Sequence, residues 1–123
     1  MPLNERDAAY LWDMLDSAET VREFMKDVSY HQYSRDRKLQ LAVERAVEII
    51  GEAARRVSDA CRLANSEIPW QGIIRQRNVL AHEYGDIKLE VMWVLATQRI
   101  PELITLLRKL DISVPPRDIE QER

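Results

Sequence analysis

The feature that most limits how this chain can fold is the period of its apolar residues, which return every three or four positions along nearly the whole length. That is the repeat of a helix with one buried face; a half-buried strand repeats every second residue, and no stretch reads that way. The first stripe is Ala8, Leu11, Trp12, Leu15, Ala18, Val21, Met25 and Val28. Asn4 stands where an N-cap is needed, with Glu5 and Asp7 in the first turn behind it. Ser29–Ser34 interrupts the pattern, and Ser34 can cap the second helix. A second stripe runs unbroken from Leu39 to Ala64 and predicts one long helix, with Gly51, Ala53 and Ala54 leaving room for a close neighbour. Glu48 and Glu52, one turn apart, read as surface partners of Arg45, Arg55 or Arg56. After a loop at Asn65–Ile68, Pro69 suits the first turn of a third helix. That helix runs to about His82, and Glu83–Asp86, containing Gly85, is its stop. A fourth helix begins near Asp86, which can cap it, and carries Leu89, Met92, Trp93, Ala96, Ile100, Leu103, Ile104, Leu107 and Leu110. Pro101 lies inside this stripe and cannot donate to the carbonyl four residues back, so a kink is expected near Thr97. The expected architecture is an all-α bundle of four to five helices with up-down connections.

Composition narrows the class further. Three Gly and five Pro in 123 residues favour helices over turn-rich sheets. The length argues for one domain, residues 1–112. The pattern dies after Asp111, and Pro115-Pro116 followed by the polar Arg117–Arg123 predicts a flexible tail over 113–123. With 46% hydrophobic and 32% charged residues the chain is not a disordered one. Its one cysteine, Cys61, cannot form an intrachain disulfide and reads as a small core residue. No apolar run approaches the ~18 residues of a membrane span and no segment resembles a secretion signal, so a cytoplasmic location is expected. A net charge of −3 argues against coating nucleic acid through a global basic field, and leaves room for a local basic site.

The third helix carries the unusual chemistry. At about 100° per residue, Trp70, Ile73, Ile74, Leu80, Ala81 and Tyr84 share one face, with Arg77 in its middle. A guanidinium keeps its proton, and burying one unpaired costs several kcal/mol, so Arg77 needs a carboxylate, a cleft or a partner subunit. An acidic residue of the second helix would satisfy it. Arg75, Asn78 and His82 share a second face, about 140° away. Arg77 and His82 therefore meet if the helix unwinds or bends at His82, or if two copies of the segment face each other. On its own, a histidine at a helix end is a cap or a solvated group, and Tyr84 can be an aromatic closing the core. His31 near Tyr30 and Tyr33 reads as part of a polar loop with no metal-ligand spacing to His82, so no metal site or cofactor is expected. Trp12, Trp70 and Trp93 fall on apolar stripes and read as core or interface.

The segment from Ile68 to Tyr84, Ile-Pro-Trp-Gln-Gly-Ile-Ile-Arg-Gln-Arg-Asn-Val-Leu-Ala-His-Glu-Tyr, resembles the signature of HepT-like proteins of the HEPN superfamily. That signature is an Arg, four residues, a His, one residue and a Tyr, often with a polar residue straight after the Arg; here Arg77, Asn78, His82 and Tyr84 fill it. The resemblance extends to Arg45–Ala53 on the second helix and to the helix containing Pro101. One departure is that Gly85 and then Asp86 follow Tyr84, where the family often has an aromatic residue and then an Asp.

The resemblance implies a HEPN-like homodimer that brings two such segments into one basic cleft, and a toxin that cuts RNA without metal. Imidazole titrates near neutrality, which suits His82 as general base or acid. The guanidinium of Arg77 suits a phosphate that gains charge. Asn78 would orient His82 or the phosphate, and Arg75 would add a weaker substrate contact. The 2′-hydroxyl is the nucleophile, so RNA is cut and DNA spared. The resemblance also implies a minimal nucleotidyltransferase antitoxin as partner, which silences the toxin by transferring AMP from ATP to Tyr84. The alternative is a non-catalytic companion subunit of a nucleotidyltransferase, with Arg77 and His82 holding a nucleotide phosphate; a further one is a structural dimer with Arg77 in a buried ion pair.

Overall fold

In the computed structural model of the protein, residues 3–112 are described, apart from the side chain of Arg77; the expected tail, 113–123, lies outside the described residues. Seven α-helical segments succeed one another: α1 (Glu5–Phe24), α2 (Tyr30–Arg35), α3 (Arg37–Arg56), α4 (Asp59–Ala64), α5 (Trp70–His82), α6 (Gly85–Val94) and α7 (Ile100–Arg108), with a π turn, Leu95–Arg99, joining the last two. No strand occurs among the described residues. The all-α bundle expected from the sequence is therefore present, with two short helices added to four long helical stretches. No described helix is long and apolar enough to cross a membrane.

The central helix is α3, which packs against α1 on one side and α5 on the other, while α1 also packs against α7. Leu11, Met14, Ala18 and Val21 of α1 meet Val43, Val47, Ile50 and Ala54 of α3 and Leu103, Ile104 and Leu107 of α7 in one core. Gly51, Ala53 and Ala54 are buried, as small residues at a close helix crossing should be. Glu48 pairs with Arg45, and Glu52 with Arg55 and Arg56, on the outer face of α3. Trp70 is buried, and its indole nitrogen donates to the Asn65 carbonyl at 3.1 Å.

Three local expectations need correction. The long second helix is broken: α3 stops at Arg56, and Ser58 caps the separate α4, its hydroxyl accepting from the Cys61 amide. The cause is a contact 51 residues away in sequence: buried Asp7 accepts from the Ser58 amide at 2.9 Å and from its hydroxyl at 2.6 Å. Burial pushes the Asp7 carboxyl up, but these bonds, with one from Asn4, outweigh it and hold it below its ordinary value. Second, Ser29–Ser34 is not a break. Ser29 and Gln32 form a reciprocal capping box that starts α2, and Asp36, not Ser34, caps α3. His31 thus lies exposed on a short helix. Third, α6 starts at Gly85 with Tyr84 at its N-cap position, and Asp86 sits in its first turn with no side-chain cap present. Near Thr97, where a kink is expected, the helix holds the π turn, in which the Thr97 hydroxyl donates to the Trp93 carbonyl at 2.7 Å.

Candidate active site

Helix α5 opens at Pro69, whose missing N–H is one a first turn does not need, and runs without interruption to His82. The Glu83 amide closes the last turn on the Val79 carbonyl at 3.0 Å. Glu83 and Tyr84 are then extended, and Gly85 turns the chain with φ of +60° into α6. A Cβ at Gly85 would meet nothing within 4 Å, so glycine serves the left-handed backbone there and not a lack of room.

Because α5 stays regular through His82, positions 77 and 82 remain about 140° apart around its axis. Unwinding at His82, which would bring Arg77 and His82 together within one copy, does not occur. Arg75, Asn78 and His82 are exposed on one side and make no side-chain hydrogen bond or ion pair among the described residues. Gln71, one turn before Arg75, is exposed on the same line, a position sequence reasoning missed although its spacing points there. Tyr84 does not close the core: it is 76% exposed, and its phenol is free to reach solvent or a partner.

The opposite side of α5 faces inward. Ile73, Ile74, Val79 and Leu80 pack on the core. Leu80 and Ala81, the two residues before His82 and on the face of position 77, border a cleft of about 560 Å³ between α1, α3 and α5. Its far wall carries Tyr10, Asp13, Glu52 and Arg56. Hydrogen bonds with Arg6 and Arg56 hold the Tyr10 phenol below its ordinary value, and the Arg6 guanidinium lies 5.8 Å from the centre of its ring. Hydrogen bonds from Arg55 and Arg56 likewise hold the Glu52 carboxyl low. The helix with the His-x-Tyr end is thus wedged between a polar cleft and open solvent. Cys61 is buried, and burial pushes its thiol up, which makes it an inert core group. Among the described residues no three His, Cys, Asp or Glu side chains converge as a metal site would need.

On the other side of the loop, α6 is apolar on nearly every side yet only partly covered. Met92 is buried and Trp93 packs edge-on against Tyr30 at 5.5 Å, but Ile87 and Val94 are exposed and Val91 is half-buried. A part-buried ion pair, Lys88 to Glu44 at 2.9 Å, ties the start of α6 to α3.

The family model described as ribonuclease HepT-like matches residues 14–110 of this chain. A Methanocaldococcus jannaschii protein named "Putative RNase MJ1380" is 35% identical over 102 residues, which cover 82% of this chain and 94% of that protein. A Thermococcus cleftensis protein named "Probable ribonuclease HepT" is 35% identical over 101 residues, covering 82% and 92% of the two chains. A further one, from Caldanaerobacter subterraneus and named "Putative RNase TTE0752", is 34% identical over 94 residues, covering 76% and 84%. No solved structure matches. With helical architecture, motif and match over most of its length in agreement, the chain belongs to the HepT-like ribonuclease family of the HEPN superfamily.

Proposed function

We propose that this protein is a metal-independent endoribonuclease that works as a homodimer, the toxin of a toxin–antitoxin pair. The observation that carries the reading is the uninterrupted α5 of a HepT-like ribonuclease, ending in an exposed His82 with no side-chain partner among the described residues. One copy holds positions 77 and 82 on different sides of that helix, so a shared site calls for a second copy. The half-covered stripe Ile87, Val91 and Val94, beside exposed Tyr84, supports a second copy on this side of the bundle.

In this reading His82 takes the proton of a ribose 2′-hydroxyl, whose oxygen attacks the adjacent phosphorus. The bond from phosphorus to the 5′-oxygen breaks, and that oxygen leaves with a proton from an acid, for which the second His82 is suited. A 2′,3′-cyclic phosphate and a 5′-hydroxyl end result. Arg77 holds the non-bridging oxygens as charge builds on them, Asn78 orients the phosphate or the imidazole, and Arg75 adds a weaker contact to substrate. In regulation, a nucleotidyltransferase antitoxin would form a bond from the Tyr84 phenol oxygen to the α-phosphorus of ATP. Pyrophosphate leaves, and the phenol proton goes to solvent. The added phosphodiester brings negative charge and bulk beside the site, where it competes with RNA.

The test is RNA cleavage by purified protein. His82→Ala and Arg77→Ala, each checked for folding, are expected to lower the rate by about 10²–10⁴-fold. Cleavage by His82→Ala at the wild-type rate would falsify the catalytic reading. For the control arm, mass spectrometry of the protein co-expressed with its antitoxin is expected to find AMP on Tyr84, and an unmodified Tyr84 in an inactive complex rules that route out.

A further inference from the structure

We infer that Gln71, Arg75, Asn78 and His82 form one track along the outside of α5 that binds a single RNA strand, with Gln71 and Arg75 holding phosphates beyond the one that is cut. The inference deepens the ribonuclease reading and rests on it for the identity of the ligand. The four residues are spaced i, i+4, i+7 and i+11, which keeps them within about 60° of one another on a regular helix. All four are exposed, and α5 has no break that would turn the line aside.

Charge contributes to the track. Six arginines of other elements are neutralised close by: Arg45 by Glu48, Arg55 and Arg56 by Glu52, Arg62 by Asp59, Arg99 by Glu102 and Arg108 by Glu19. Arg22, Arg35 and Arg37 have no such partner among the described residues, but they lie on α1, α2 and the start of α3, off the face that ends in His82. Arg75 has no such partner among the described residues. It is therefore a cation left available on the face that ends in His82. Glu83 and Asp86 come after His82 and Glu67 stands before Gln71, so carboxylates bound the track at both ends and a strand lying on it runs between Gln71 and His82. At about 1.5 Å per residue, position 75 lies about 10 Å and position 71 about 16 Å from position 82 along the axis. Those distances exceed a single phosphodiester, so Arg75 and Gln71 engage neighbouring phosphates and not the reacting one. No aromatic side chain stands on the line, so the track reads backbone and tolerates any base sequence.

Binding can be measured without cleavage, using fluorescently labelled 2′-O-methyl RNA, an octanucleotide and a dinucleotide, at several salt concentrations. Arg75→Ala is expected to weaken octanucleotide binding about tenfold while lowering the octanucleotide-to-dinucleotide affinity ratio by a similar factor. It should also flatten the salt dependence by about 0.7 in log–log slope, the value for one lost single-strand phosphate contact. Gln71→Arg is expected to tighten octanucleotide binding and steepen that slope by about the same amount. Wild-type binding by both variants, an equal loss on the dinucleotide, or no octanucleotide binding by the wild-type protein each overturns the track. Cleavage by His82→Ala, measured separately, tests the reading beneath it, so the two failures are told apart.

Discussion

Replacing Asp7 by Ala should weaken the fold more than any other single polar change at the surface-to-core boundary. Asp7 is 4% exposed and accepts two bonds from Ser58, one from the amide just beyond the end of α3 and one from the hydroxyl that caps α4. Bonds to a carboxylate are worth about 1.5–3 kcal/mol each, and the half-buried Ser58 recovers some of that from water, so the expected loss is about 2–4 kcal/mol. For a domain of this size that is a fall in Tm of roughly 10 °C. Ser58→Ala removes one of the two bonds together with the cap and should cost about 1–2 kcal/mol. Because the two side chains act on one junction, the double variant should lose at least about 1 kcal/mol less than the sum. The pH dependence has a definite sign. The folded carboxyl sits below its ordinary value of 3.8, so its stabilisation is present above that pH and is lost as pH falls through the folded value. Asp7→Asn should flatten this acid limb. Urea unfolding at matched protein concentration, across pH, measures all of these quantities. An Asp7→Ala variant within about 0.5 kcal/mol of wild type, or strict additivity with Ser58→Ala, would refute the claim that this contact sets the break between α3 and α4.

Further outcomes concern one buried polar group, Tyr33, and one part-buried ion pair, Lys88–Glu44. Tyr33 is fully buried and its hydroxyl has no hydrogen-bond partner among the described residues, so Tyr33→Phe should leave stability unchanged or raise it by up to about 1 kcal/mol in urea unfolding; a loss above about 1 kcal/mol would point to a bond the phenol makes in solution. Burial, aided by Glu44 and Tyr30, pushes that phenol up to about 12, so the preference it gives the folded state is full below the ordinary value of 10 and fades as pH rises toward 12; Tyr33→Phe should flatten that alkaline limb. The Lys88–Glu44 pair is 22% and 18% exposed, so Lys88→Met alone should cost about 1–2 kcal/mol by stranding Glu44, and adding Glu44→Leu should recover part of it; a double variant worse than the single one contradicts this.

Short-range signals were readable wherever the physics was local. Asn4 caps α1 because its side chain needs only the Asp7 amide three residues on, and Pro101 disturbs the helix before it because its ring removes a donor at a known offset. Ser29 and Gln32 carried an equally local signal, the spacing of a capping box, which the apparent loss of apolar period around them obscured. The break at Ser58 was not legible: the apolar stripe runs on through it, and the residue that ends α3 there belongs to α1. Within the candidate site, the shared line of Arg75, Asn78 and His82 is a product of helical spacing alone. The exposure of Tyr84 is not, because the sequence places it on the apolar face of α5 while the chain has already left that helix at Glu83.

The π turn has a consequence for the length of the chain. Met92, Ala96, Ile100 and Ile104 are all buried, and each lies four positions after the last. In a straight α-helix each such step overshoots a full turn by about 40°, so after three steps the row would have wandered about 120° toward water. The surplus residue held in Leu95–Arg99 takes back about 100° of that drift. One position there thus acts as a spacer that keeps the two halves of the last long helix in phase. Removing one exposed residue there, such as Gln98, would leave a regular helix with Met92 and Ile104 still only about 20° out of line, so Leu103 and Leu107 would keep their neighbours and the stretch should tolerate loss of one residue better than gain of one.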